Sequence, residues 1–115
     1  MRQALLTVTY RLTGDPAAFR NNMEDAAAAI AETRGLLWKI WGLDLDRRRG
    51  LSVYLFDGEH AANMFAEGPI IKSLRQHPDV AEVSLDHAPV DRNLSLLSGA
   101  GQALSEPVHP TEHTA

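Results

Sequence analysis

Two kinds of side chain in this cysteine-free chain of 115 residues have the types and positions to serve a reaction that moves a proton. His60 and His87 are the candidate bases. An imidazole titrates near neutrality, so either could take a proton from a weakly acidic substrate. His60 follows Asp57-Gly58 at the start of a helical stretch, and His87 stands beside Asp86 at the end of a strand-like one. The second kind is aromatic. Trp38 and Trp41 lie in Leu36-Leu37-Trp38-Lys39-Ile40-Trp41, and Tyr54 lies in Val53-Tyr54-Leu55-Phe56. An indole offers a flat apolar wall with one N–H donor, and a phenol offers a proton. These types suit an apolar pocket for an aromatic molecule. Tyr54 would donate a proton, Tyr10 and Phe65 would extend the wall, and Arg92 would close over an anionic group. Each has a plainer reading, as a core aromatic or a solvated charge. Lys39 shares a strand face with Trp41 and reads as a lysine snorkelling to the surface.

Several chemistries are set aside by what the chain lacks. Without cysteine there is no disulfide, thiolate nucleophile or thiolate-held metal. The other histidines are His77, in a turn before Pro78, and His109 and His113 near the C-terminus. Only His109 and His113 have the i, i+4 spacing of a helical metal site, and they lie with Pro110 in the tail where disorder is expected. A phosphate-cradling glycine loop, a dinucleotide fingerprint and a serine elbow are all missing, so no cofactor is expected. Eleven Lys and Arg against fifteen Asp and Glu leave a net charge of −4, which favours neither nucleic acid nor a membrane surface as partner. Arg47-Arg48-Arg49 is flanked by Asp44 and Asp46 and reads as a solvated hairpin tip. No apolar run approaches the ~18 residues of a membrane span. Met1 to Leu6 carries no secretory pattern, and a cytoplasmic location is expected.

The elements that must position these groups follow from pattern. Residues 3–12 alternate apolar and polar, as in a half-buried strand. Asp15-Pro16 is a helix start, Phe19, Met23, Ala26, Ala27 and Ile30 recur at helical spacing through about Thr33, and Gly35 is placed to end that helix. Two aromatic strands follow at about 36–43 and 50–56. A second helix carries Ala61, Met64 and Phe65, is interrupted at Gly68-Pro69, and leads to a last strand around Val80–Leu85 that Pro89 stops. The order β-α-β-β-α-β is the ferredoxin-like α+β arrangement. Its sheet carries helices on one face, yet the aromatic strands are apolar on both, so a second copy is expected to cover the other face. Trp38 and Trp41 differ by an odd number of residues, so one should look toward the helices and one toward the dimer interior. Residues 1–97 form one domain and 98–115 a polar tail. Leu94, Leu96 and Leu97 suit a short arm across a partner, and disorder is expected beyond Gly99.

Gly35-Leu36-Leu37-Trp38-Lys39-Ile40-Trp41, then Val53-Tyr54-Leu55-Phe56, then the Ala-rich helix after them resemble the YdhR family of monooxygenases over residues 4–97. The resemblance implies a dimeric α/β barrel built from two ferredoxin-like chains. Similar barrels serve cofactor-free quinone-forming monooxygenases, haem-degrading enzymes, polyketide cyclases and non-catalytic sensors, so the fold leaves function open. No family role carries over to His60, His87 or the long tail. The expected function is a cofactor-independent monooxygenase acting on a small aromatic or enolisable, polyketide-like substrate. The alternatives are an isomerase or cyclase using the same pocket, or a dimer that binds a small ligand without reacting. Trp38 and Tyr54, on neighbouring hairpin strands, are expected to share one wall of a pocket between sheet and helices.

Overall fold

Strict alternation along the first strand decides the layering. In β1 (Ala4–Leu12) the residues Ala4, Leu6, Val8, Tyr10 and Leu12 are each 5% exposed or less, because that face lies under three helices. The computed structural model describes residues 2–105. After β1 come α1 (Pro16–Ala31), β2 (Leu36–Asp44), β3 (Arg49–Phe56), α2 (Glu59–Ala66), α3 (Pro69–Gln76), β4 (Val80–Pro89) and α4 (Arg92–Leu97). The strands form one antiparallel sheet in the order β2-β3-β1-β4, the ferredoxin-like arrangement that the order of patterns implies. Among the described residues no helix is long and apolar enough to cross a membrane.

Local chemistry sets the helix boundaries. Asp15 caps α1 by accepting from the Ala17 N–H at 3.1 Å, and Pro16 fills the first turn, where a missing N–H costs nothing. Gly35 ends the connection from α1 with φ +82, in the left-handed region that an L side chain resists. Gly68 then separates α2 from α3, with Pro69 again at the helix start. Phe19 and Ile30 of α1, Ala62 and Phe65 of α2 and Ile71 of α3 join the inward residues of the sheet in one core.

Two bulges tune the register. Leu36 pairs with Phe56 but Trp38 pairs with Leu55, so Leu37 is an extra residue in β2. Leu36 therefore packs toward the helices, while Leu37 and Trp38 both pack against the opposite side of the sheet. Across β1 and β4, Thr9 pairs with Ser84 and Arg11 with Ala81, which leaves Glu82, at φ 56, and Val83 opposite the single Tyr10.

The sheet face away from α1–α3 is partly covered from within the chain. Leu104 packs with Leu55 and Val90, bordered by Leu5, Leu37 and Trp38. Two hydrogen bonds hold the segment there: Gln3 Nε2 donates to the Leu104 carbonyl at 2.8 Å and Trp38 Nε1 to the Ala103 carbonyl at 2.5 Å. Disorder beyond Gly99 is thus not what Gly99–Ser105 shows, because one leucine finds an apolar seat. The remaining expectation of a disordered tail falls on residues 106–115, outside the described part. Leu94 and Leu97 of α4 stay 63% and 77% exposed.

Candidate functional site

A cavity of about 280 Å³ opens between the sheet and helices α1 and α3. Val8 and Tyr10 of β1, Lys39 and Trp41 of β2, and Ser52 and Tyr54 of β3 form its floor, and Met23, Ile30, Ile71 and Leu74 form its roof. His77, the C-terminal cap of α3, joins the lining. The walls are almost wholly apolar, and none of the lining residues is a carboxylate.

Lys39 is the exceptional group. It faces the helices because it pairs with Tyr54, whose partner on β1 is the inward residue Leu6. Its Nζ lies 3.2 Å from the Trp41 ring centroid and 4.6 Å from that of Tyr54. Contact with a π face favours the ammonium form, but an aromatic quadrupole is weaker compensation than water or a carboxylate. Desolvation wins and pulls the Lys39 pKa down to about 7. Near neutral pH a large share of the amine is therefore uncharged, which makes it able to accept a proton inside an apolar chamber.

Two phenols complete the floor. Tyr10 packs on Phe19 with centroids 5.7 Å apart. Its ring lies across Gly50, the residue it pairs with on β3, where a Cβ would come within 2.1 Å of Tyr10 Cζ. Only glycine leaves that space. Ser52 Oγ is fully buried and makes no hydrogen bond of acceptable geometry, although its proximity partly offsets the burial that raises the Tyr10 pKa. Burial also pushes the Tyr54 pKa up, with the neighbouring Tyr10 adding to it. Both hydroxyls thus stay protonated, as donors, across the physiological range. His77 Nδ1 accepts from the Asp79 N–H at 3.0 Å, and its ring meets Phe19 edge-on. That bond fixes the tautomer and leaves the proton on Nε2.

Of the residues singled out in the sequence, Trp41, Tyr10 and Tyr54 meet at this cavity. Trp38 does not share their wall. The bulge at Leu37 pairs it with Leu55, on the far side of the sheet from Tyr54, and it borders a smaller hollow beside Leu37 and Ala31. Phe65 is a core residue packed with its ring tilted against Tyr54 and Phe56, centroids 4.8 and 5.4 Å apart, away from the cavity lining. His60 and His87 are exposed, on α2 and β4, and neither lines the cavity. Arg92 is exposed on α4. Lys39 and His77 are the residues that sequence reasoning set aside. The signal for Lys39 was present in its company, since a lysine flanked by apolar residues on Trp41's face is either snorkelling or buried. Only the overhang of α1 decides which. Among the described residues no cluster of three or more His, Asp or Glu gathers as a metal site would.

Residues 5–100 match the family model described as "Putative mono-oxygenase ydhR". No curated protein matches the chain. Solved structures of the same fold include a protein from Deinococcus radiodurans described as a "putative antibiotic biosynthesis monooxygenase", 18% identical, covering 76% of this chain and 91% of that one at a TM-score of 0.61. SnoaB, a cofactor-independent oxygenase from Streptomyces nogalater, is 14% identical, covers 78% and 94%, and gives 0.62. The heme-degrader MhuD of Mycobacterium tuberculosis, solved with two hemes bound in its active site, is 18% identical, covers 76% and 95%, and gives 0.60. At identities of 14–18% these likenesses establish the fold and nothing finer.

Proposed function

We propose that this chain, which belongs to the ydhR mono-oxygenase family, is a cofactor-independent oxygenase that acts on a small aromatic or enolisable, polyketide-like substrate in the cavity between sheet and helices. The observation that carries the proposal is Lys39: an amine with no carboxylate among its neighbours, lying on Trp41 and brought to a pKa of about 7 by burial. Oxygen insertion without a redox cofactor needs the substrate to supply the electrons, which an enolate or phenolate does far better than its neutral parent. Lys39 takes the acidic proton and the ammonium so formed stays beside the anion, where a low dielectric strengthens the attraction.

The remaining steps fall to the donors around it. The substrate anion passes an electron to dioxygen, the two radicals join as a peroxide anion at the carbon that lost its proton, and the Lys39 ammonium returns a proton to give the hydroperoxide. The O–O bond then breaks as the same carbon gives up its second hydrogen as a proton, leaving a carbonyl, so one oxygen atom stays in the product and one leaves as water. Tyr54, Tyr10 and His77 Nε2–H are the groups able to donate to the departing oxygen. Exclusion of bulk water keeps the anion reactive and limits its reprotonation. Trp41 and the aliphatic roof supply the flat apolar surface for the ring.

A complex with anthrone, an enolisable polycyclic ketone, prepared without oxygen tests the assignment. The acidic carbon should lie within hydrogen-transfer reach of Lys39 Nζ, about 3–4 Å. Anthrone bound elsewhere, or held with its acidic carbon away from Nζ, overturns it.

A further inference from the structure

We propose that Lys39 is also a covalent capture site, forming an imine with aryl aldehydes or ketones that enter the cavity. The activity goes beyond the oxygenase chemistry above and uses a different property of the same nitrogen, its lone pair as a nucleophile. Imine-forming lysines need a neutral amine in a pocket that excludes water, with a proton donor nearby. Lys39 meets each condition by placement. Its Nζ lies over the Trp41 ring at 3.2 Å, and none of the ion pairs among the described residues involves it. The cavity around it is apolar, with Val8, Ile71 and Leu74 to receive an aryl ring. The phenol of Tyr54, its ring 4.6 Å from Nζ, is the nearby acid.

The step balances without oxidant or reductant. Nζ attacks the carbonyl carbon, a C–N bond forms, and the carbonyl oxygen takes a proton. The carbinolamine then loses that oxygen as water, and the nitrogen sheds a proton to leave a neutral imine. The net change is amine plus carbonyl giving imine plus water. Reversal needs only that water return, so the site would hold a carbonyl compound while it is shielded and release it when the chamber opens.

Composition makes the test unusually clean, because Lys72, exposed on α3, is the only other lysine. The full chain is incubated with benzaldehyde and sodium cyanoborohydride at pH 7, and modified peptides are mapped with time. Lys39 should be labelled about ten-fold or more faster than Lys72, since burial brings its pKa down to about 7 and its cavity is apolar. Labelling of Lys39 no faster than Lys72 overturns the proposal. Lys39→Arg keeps a long basic side chain but has no comparable nucleophile, and circular dichroism checks that it folds. Its total labelling should drop to the Lys72 and α-amino background, and wild-type labelling in that variant contradicts the assignment. The two readings part cleanly: labelling without oxygen uptake leaves the capture site and removes the oxygenase, while uptake without labelling does the reverse.

Discussion

At the scale of single residues, the cost of burying Lys39 has a measurable pH signature. The unfolded lysine titrates at the ordinary value of 10.5 and the folded one at about 7. Between those values the unfolded chain binds more protons, so stability rises with pH across that window and is lowest, and flat in this contribution, below it. Lys39→Met removes the buried charge while keeping an unbranched stem against Trp41. The variant should melt higher than wild type at pH 6, by about 1–2 kcal/mol after solvent screening, with the gap closing toward pH 10. Thermal melts across that range check it, and a constant gap would contradict the burial argument. Gly50 is a second case. Gly50→Ala drives a methyl into the Tyr10 ring, and the cost should be about 2 kcal/mol with loss of the ring's position in the cavity floor. Neither residue announces this in the sequence. A lysine in an apolar strand has two fates, and the glycine's neighbour is set by strand pairing across 40 residues, from Tyr10 to Gly50.

Among the elements, hydrophobic periodicity carried the fold. The β-α-β-β-α-β order, the cap at Asp15 and the break at Gly68-Pro69 all appear where residue types require them, whereas α1 ends at Ala31 with Glu32 as its cap, short of Gly35, which serves the turn into β2. Register did not follow, because a one-residue bulge at Leu37 moves a side chain to the other face without changing composition. That is why Tyr54 lies opposite Lys39, and why Trp38 holds the Ala103 carbonyl instead of lining the cavity. Trp38→Phe should keep the fold and lose about 1 kcal/mol with its hydrogen bond, while affinity for anthrone in the cavity stays unchanged. Trp41→Phe should instead weaken anthrone binding, by roughly three- to ten-fold for a smaller aromatic wall. Denaturation curves and ligand titrations separate the two. Histidine identity misled for a related reason: His60 and His87 are titratable but solvent-facing, whereas His77 reaches the cavity through the turn that closes α3.

For the whole molecule, the uncovered part of the sheet is the outstanding feature. Ile40 and Leu51, on the same side of the sheet as Trp38 and Leu55, remain 61% and 52% exposed. Apolar positions on an open sheet face support the proposal of a homodimer formed through that face. Sedimentation at micromolar concentration should give twice the chain mass, and Ile40→Glu should shift it to monomer while secondary structure is kept; a wild-type monomer would end the proposal. On the opposite face, the proposed chemistry starts at a neutral lysine. Oxygen uptake with anthrone, followed from pH 5 to 9 in the presence of a chelator, tests it most directly. The rate should rise with an apparent pKa near 7, the value to which burial brings Lys39, and Lys39→Met should lower it at least ~100-fold, as expected for loss of a general base. Uptake that is unchanged in Lys39→Met, or that is lost instead in His60→Gln or His87→Gln, would contradict it.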